Sequence, residues 1–517
     1  MLTGGDRFVL TVDLGTSGLK VGFVSTHGRI AWCDHVPVKT ERQPNGGFVQ
    51  DAEEWWRLIC DLVHRGLASG ALPAEQVVAV SVTGQWASTI PVDAGGVPVG
   101  ECVLWMDTRG GRYTRRRLGG PVAGYSPKAA YLFLRRTGGA PSTTGADPIG
   151  HMLHLQEDRP DVHRAARWLL EPVDYLSMRF TGVAAASHAS MTAAWLTDNR
   201  DLATLAYDRD LVALVGVDAA KLPPLVPTGA IVGTVLDHVA ADLGLPNGVQ
   251  VVTGTPDLHS AACGAGTVLD FQTHLAIGTT SWISCPVPYK KTDVLHQIAS
   301  VPGIRPHQYV VANNHETSGL CFQWLRDNVL LADGTDFADL TELAATSAPG
   351  SGGVIFTPWL TGERSPVDDR WARGGFHNLS LDTTRADLIR SVLEGVAYND
   401  RWLHEFVEKF TKRTLDPVRI IGGGARSDLW CQIHADVMNR TIERVAEPHY
   451  AGLKGAAIFA GLSLGDVRPE EVRELVAVDA VFTPDHAVRA TYDELYVEFP
   501  KLYKAQKTMF ARLNRPR

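Results

Sequence analysis

The chain has 517 residues, more than one hydrophobic core holds, since single cores stop growing near roughly 250–300 residues, so two large domains are expected. Hydrophobic residues at 45% and charged residues at 21% exclude a disordered or fibrous chain, and a formal net charge of -8 argues against a dedicated nucleic-acid binder. The seven cysteines (Cys33, Cys60, Cys102, Cys263, Cys285, Cys321 and Cys431) form no C-x-x-C pair, and no apolar run makes a signal peptide or approaches the roughly 20 residues of a membrane span, so a cytoplasmic protein with reduced thiols and no membrane partner is expected.

In chain order, an apolar β-prone run at 8–12, a polar turn from Asp13 to Gly18 and an alternating run at 19–24 predict a β-hairpin. Residues 53–67 place Trp56, Ile59, Leu62 and Val63 at helical spacing, and a strand follows at 77–82. Arg109, Arg112, Arg115, Arg116 and Arg117 form the densest basic run, which reads first as the solvated face of a helix. A strand at 249–252 leads into Thr253-Gly254-Thr255-Pro256-Asp257. The strand–turn–strand pattern returns half a chain later, at 274–277, Gly278-Thr279-Thr280-Ser281 and 282–284, which predicts two domains built on one core. A long helix at 387–410, a strand at 418–421, a glycine run and a helix carrying Leu429, Ile433 and Val437 complete an α/β pattern. The boundary is expected near 255–268, where Gly254, Gly264 and Gly266 punctuate the chain.

Four segments carry chemistry. In Asp13-Leu14-Gly15-Thr16-Ser17-Gly18-Leu19-Lys20 the glycines admit a phosphate to the backbone, hydroxyls and amides donate to it, Lys20 adds charge, and Asp13 suits a Mg²⁺ held through its water shell. An ordinary hairpin turn is the alternative, and the P-loop spacing is absent. The turn at Gly278-Thr279-Thr280-Ser281 could clamp the same phosphates from the opposite side of a cleft. Gly422-Gly423-Gly424, between a strand and a helix, offers backbone without bulk for an adenine or ribose, and lacks the spacing of a dinucleotide fold. Asp257, just past a strand, is placed either for a general base or for a helix N-cap. His259 and His315 match no metal spacing.

Taken in order, these segments, with Gly362-Glu363-Arg364-Ser365-Pro366, Gln50-Asp51 ahead of Trp55-Trp56, Trp105-Met106-Asp107-Thr108-Arg109 and the stretch 319–327, resemble the FGGY carbohydrate kinases over nearly the whole chain. The nearest motifs are those of the xylulokinase branch. The resemblance implies an α/β fold of two ribonuclease-H-like domains, as in actin and hexokinase, around a central cleft. It assigns 1–262 to the sugar and part of the phosphate site and 263–517 to the nucleotide. It makes Asp257 the catalytic base and Asp13 the Mg²⁺ ligand. Thr16, Ser17, Lys20 and Thr279 would hold ATP phosphates, and Gly319, Gln323, Gly423, Gly424 and Ser427 would line the nucleoside site.

The implied reaction is transfer of the ATP γ-phosphoryl group to a hydroxyl of a small ketose, D-xylulose first. A tetritol, pentitol or glycerol-like polyol is the second substrate class, and a non-catalytic, nucleotide-dependent sugar-binding regulator is a third reading. A homodimer is compatible with these features, and no nucleic-acid partner is expected.

The chain departs from its family where substrate is read. Xylulokinases carry Gly-Gln-Met-His where this sequence has Gly84-Gln85-Trp86-Ala87, and glycerol kinases carry Asn-Gln-Arg-Glu-Thr. Gln85, Trp86, Ala87, Asp107 and Asp257 are the expected sugar contacts, with Trp86 as an aromatic platform. Trp86 filling a core and Asp107 merely starting the arginine-rich helix are the alternatives. Asn378 stands where the family has glycine, and asparagine tolerates a positive φ.

Overall fold

The structure, a computed structural model, describes residues 7–330 and 334–515. Its first half is organised by a mixed sheet of β1 (Phe8–Leu14), β2 (Gly18–Ser25), β3 (Ile30–Pro37), β4 (Val77–Gly84), β5 (Ile231–Thr234) and β6 (Gln250–Val252), in the order β5-β6-β4-β1-β2-β3. The hairpin β1–β2 and its neighbour β3 are antiparallel, while β4 lies parallel to both β1 and β6. The second half repeats the plan with β7 (Thr273–Ile277), β8 (Ser281–Ser284), β9 (Val418–Ile421), β10 (Ile442–Val445) and β11 (Val478–Phe482), in the order β8-β7-β9-β10-β11. Here too a hairpin, β7–β8, stands beside a parallel strand, β9.

The repeat extends to backbone contacts. Gly84 ends β4 with φ 155°, and a Cβ there would lie 2.3 Å from the carbonyl oxygen of Leu14; Gly422 follows β9 with φ 95°, and a Cβ there would lie 2.3 Å from that of Ile277. In each half, therefore, only glycine lets the parallel strand pass the turn of the hairpin.

Five helices place the site: α1 (Ala52–Ala68), α2 (Asp257–Gly264), α3 (Arg385–Thr411), α4 (Asp428–Met438) and α5 (Ala451–Leu464). Asp51 caps α1 by accepting from the amide of Glu53, and Trp55, Ile59, Leu62 and Val63 bury the stripe that covers the outer face of the first sheet. Helices α3 and α4 cover the outer face of the second sheet. Between the sheets lie α2 and α5. Val9, Val24, Ala79 and Val252 of the first sheet and Ala276, Ile421 and Val445 of the second share one apolar cluster with Ala261, Ala451, Leu453 and Ala457 of these two helices.

The crossing of α2 and α5 is backbone against backbone. A Cβ on Gly264 would lie 1.8 Å from the carbonyl oxygen of Ala451, and one on Gly455 would lie 1.8 Å from that of Ser260. The stretch 257–264, within the expected boundary region, is a buried helix in the middle layer, and Gly264 serves close packing there. The arginine run lies on the helix Gly111–Leu118, where Arg112, Arg115, Arg116 and Arg117 are exposed and Arg112 and Arg117 pair with Asp158 and Glu157. Asn378 holds the positive φ, 64°, that its position requires.

Gly455→Ala is expected to destabilise the protein by about 1–3 kcal/mol, as overpacking does, and to lower its Tm. Gly423→Ala, where a Cβ meets nothing within 4 Å and φ is -64°, should leave the Tm of the free protein unchanged.

Candidate active site

Asp13 lies on β1, on one side of β4, and Asp257 directly follows a short strand on the other side. Asp13, near the end of β1, stands level with Thr83, and the short strand Thr255–Pro256 that leads into Asp257 pairs with Thr83 and Gly84 on the other side. Two strand spacings, about 10 Å at the backbone, separate them. Lys20 faces Asp13 across the hairpin and its Nζ lies 3.2 Å from Asp13 Oδ2, an ion pair that raises the pKa of the lysine. Gly452, in the first turn of α5, lies against the same carboxylate; a Cβ there would come within 2.9 Å of Oδ2. Asp257 is the first residue of α2, with Pro256 as N-cap, and its Oδ1 accepts from the amide of Leu258 at 2.8 Å.

The Asp257 side chain is exposed at the floor of the cleft, yet protein surrounds that floor. Burial first, and the negative charge of Asp13 second, raise its carboxyl to about 7, against the stabilising amide of Leu258. Water still reaches it in this open geometry, so the shift is felt in full only when the cleft excludes water.

Beside this pair a side-chain network fixes the turn after β1. Thr16 Oγ1 donates to Gln85 Oε1 at 3.2 Å and accepts from Trp105 Nε1 at 3.0 Å. Gln85 Nε2 donates to Gln50 Oε1 at 2.9 Å, and Gln50 Nε2 returns to the Thr16 carbonyl at 2.7 Å. The next residues form a tight bend. The Trp86 indole N–H donates to the carbonyl of Ser190 at 2.7 Å, while its ring joins Leu258, Val301, Val310 and Trp282 in a small apolar cluster between the halves. Ala87 adopts φ 63°, and the Ser88 amide donates to the buried Glu171 Oε2 at 3.1 Å. Burial raises the carboxyls of Glu171 and of Asp174 well above the usual range, opposed by the Ser88 amide at Glu171 and by Ser190 at Asp174.

On the opposite wall the β7–β8 turn exposes Gly278 and Thr279. Its carbonyls are held from behind: the Gly319 amide donates to Gly278 at 2.9 Å and the Ser318 amide to Thr279 at 2.9 Å. Gln323 is exposed on the helix Gly319–Trp324. Gly423 is exposed, whereas Gly424 packs inward, where a Cβ would meet Ile277 Cγ2 at 2.5 Å. The cleft thus has two glycine-bearing turns facing it from two sheets and a carboxylate pair on its floor, an arrangement suited to an anionic tail and a metal ion.

Family models agree with that reading along the chain. Residues 8–264 match the N-terminal domain of the FGGY family of carbohydrate kinases, and residues 276–464 match the C-terminal domain. The chain belongs to this family. Among curated FGGY relatives, the xylulose kinase of Staphylococcus epidermidis is 28% identical over 98% of both chains, and the glycerol kinase of Dechloromonas aromatica is 27% identical over 93% of this chain and 94% of its own. Among solved structures, the xylulose kinase of Rhodospirillum rubrum superimposes with a TM-score of 0.83 at 26% identity, covering 98% of this chain and all of that one, 100%. As an FGGY kinase the protein is an ATP-dependent sugar kinase of the two-domain actin- and hexokinase-like fold.

Within this FGGY kinase the expected site residues divide. Ser17, Asp257, Thr279, Gln323 and Gly423 are exposed, and Asp13 and Lys20 are half-buried and paired with each other. Gly319 and Gly424 act through close packing, and Ser427 caps α4 by accepting from the amide of Trp430 at 3.2 Å. The Thr16 hydroxyl and the Gln85 amide are spent on each other and on Trp105 and Gln50, so they hold the site's shape. The Trp86 N–H is likewise taken, and its half-buried ring packs against Leu258, Val301 and Val310 and edge-on to His259.

Asp107 requires a correction. It is fully buried, accepts from the amides of Phe48 and Arg109 at 2.9 Å each, and pairs with the Arg109 guanidinium at 2.7 Å, so it has no lone pair left for a sugar. Glu171, Asp174 and Trp282 were not singled out from sequence; their long-range partners, not a motif, bring them to the site. Asp107→Asn is expected to cost about 3–5 kcal/mol of stability, because it strands the Arg109 charge, while leaving the KM for sugar nearly unchanged in the folded fraction. Thermal unfolding and steady-state kinetics on the purified variant check both halves.

Proposed function

We propose that this kinase transfers the γ-phosphoryl group of ATP to a hydroxyl of a ketose, with D-xylulose preferred, and that Asp257 is its general base. The observation that carries the reading is the Asp257 carboxylate, exposed at the cleft floor and raised to about 7 by burial and by Asp13. A base titrating near neutrality both takes and releases a proton readily. The sugar hydroxyl gives its proton to Asp257 as its oxygen attacks the γ-phosphorus, and the bond to the β-phosphate oxygen breaks. Because the transition state is loose, the protein's task is to position the two reactants and offset charge. Lys20, Ser17 and Thr279 are placed for the phosphate tail, and Gly423 for the nucleoside.

Asp13 fits a Mg²⁺ ligand. No group of three or more His, Cys, Asp or Glu among the described residues could hold a metal alone, and a magnesium ion ordinarily uses one or two carboxylates with waters and phosphate oxygens. When bound, the ion would offset phosphate charge and the repulsion between Asp13 and Asp257.

The choice of a ketose follows from the reading turn. Trp86 offers an apolar face where glycerol kinases place a charged pair, and Ala87 leaves space where xylulokinases place histidine. Such a face suits a carbon chain longer than that of glycerol. The relatives named xylulose kinases support the same choice, and an ADP-release assay over ketoses and polyols tests it. D-Xylulose is expected to give the highest kcat/KM and glycerol a poor one; glycerol ahead of every ketose and longer polyol would overturn the substrate assignment.

Asp257→Asn should lower kcat by at least about 10²-fold with ATP binding little changed. In the unsubstituted enzyme kcat/KM should fall as pH drops below about 7, because the base becomes protonated. The stability effect has the opposite sense. The folded protein holds the Asp257 proton more tightly than the unfolded chain, so stability falls as pH rises from the unfolded value, 3.8, to about 7, the loss is complete above that, and Asp257→Asn should raise the Tm there.

A further inference from the structure

Under the nucleotide-facing turn lies a charged cluster that no part of the proposed chemistry uses. His315 is 1% exposed, with its Nδ1 3.1 Å from Glu363 Oε2 and its Nε2 3.5 Å from Asp400 Oδ1. Both carboxylates are fully buried. Glu363 also accepts from Asn399 Nδ2 at 2.6 Å and from the amides of Arg364 and Glu316 at 2.9 and 3.2 Å. Asp400 accepts from Ser281 Oγ at 3.0 Å and faces His434 Nε2 at 3.0 Å. Asn399 Nδ2, oriented by the bond that Trp359 Nε1 donates to its Oδ1, also lies 2.9 Å from His315 Nδ1, so an Nε2–H imidazole would accept from Asn399 and face Asp400, while an imidazolium would face both carboxylates.

The cluster is wired to the turn at both ends. Ser281, which donates to Asp400, is the residue after Gly278-Thr279-Thr280, and the backbone amide of His315 donates to the Ser281 carbonyl at 2.8 Å. The two residues that follow His315 lead to Ser318 and Gly319, whose amides hold the carbonyls of Thr279 and Gly278. Asn399 and Asp400 lie on α3, and His434 on α4, the helix that opens at the glycine run.

We propose that His315 is a positioning residue for ATP: packed between Glu363, Asn399 and Asp400, it holds the turn 278–281 in fixed relation to the glycine run of the nucleoside wall. The inference rests on the reading that this turn takes the ATP phosphates. The charge balance agrees with the geometry. Burial acts to lower the pKa of His315, but Glu363 and then Asp400 outweigh it and the net shift is upward. An imidazole raised in this way supports the fold fully below its unfolded value, about 6.5, and that support is lost as pH rises through the raised folded value.

Steady-state kinetics of the full chain from about pH 6 to about pH 9, varying ATP and sugar separately, test the proposal. His315→Gln should raise the KM for ATP roughly tenfold or more, as loss of a charged hydrogen bond does, with the KM for sugar changed less than about twofold. The unsubstituted enzyme should show an alkaline rise in the KM for ATP that the variant lacks. Ser281→Ala, which removes only the link between cluster and turn, should raise the KM for ATP several-fold and decides the matter if His315→Gln does not fold. Gly423→Val, a substitution with open space around it, serves as the reference for the nucleotide wall. Should Gly423→Val leave ATP kinetics untouched, the nucleotide reading fails and the proposal with it. Should Gly423→Val impair ATP use while Ser281→Ala and His315→Gln do not, or while they weaken ATP and sugar equally, the positioning role is overturned and the nucleotide reading stands.

Discussion

Two sheets of this size can face one another at close range only if the helices between them are thin where they cross, and the glycine contacts of α2 and α5 meet that condition. With backbone on Gly264 and Gly455 facing backbone, the helices approach more closely than side chains would allow. The site depends on that contact. Asp257 opens α2, and the first turn of α5 lies on Asp13, so the crossing that joins the halves also sets the distance between the two carboxylates. A close-packed contact of this kind yields little, and a change at one helix is passed to the other.

Around this crossing the protein carries several acids in positions where water would ordinarily stabilise their charge, and it treats them in three ways. Asp107 is neutralised by Arg109 and by two backbone amides, at the cost of any contact with ligand. Glu171 and Asp174 lack a cation, and burial moves their titration upward, so they sit behind the bend at Trp86 and Ala87 as hydrogen-bonding groups more than as charges. Asp13 and Asp257 remain in the cleft, where mutual repulsion and partial burial raise the second of them into the range of a base. The same residue type thus anchors, braces or reacts according to what is packed against it.

One strained backbone position lies where the substrate is expected. Ala87 occupies a left-handed conformation that an alanine adopts only at a cost of about 1–2 kcal/mol, and the Ser88 amide, held by Glu171, keeps it there. A neighbouring glycine, Gly84, lets β4 pass the first hairpin, so the bend begins at a fixed point and its direction is set by the Trp86 bond to Ser190. Glutamine 85 and threonine 16 complete the support from the other side.

Local order alone was enough to place the hairpin β1–β2, the helix expected at 53–67 and found at Ala52–Ala68, the strand at 418–421 and the glycine turns, because periodicity and turn chemistry act between neighbours. The ordered motifs gave the family, and with it the candidate base and metal ligand. Which polar groups are free could not be read in that way. Gln50 meets Gln85 across 35 residues and Trp105 meets Thr16 across 89, and only the pairing of strands distant in sequence, β4 with β1 and residues 49–50 with 102–103, brings them together. For the same reason Asp107 looked available. Hydrogen-bond capacity is a property of one residue, but whether it is already spent is decided by the residues that folding places around it.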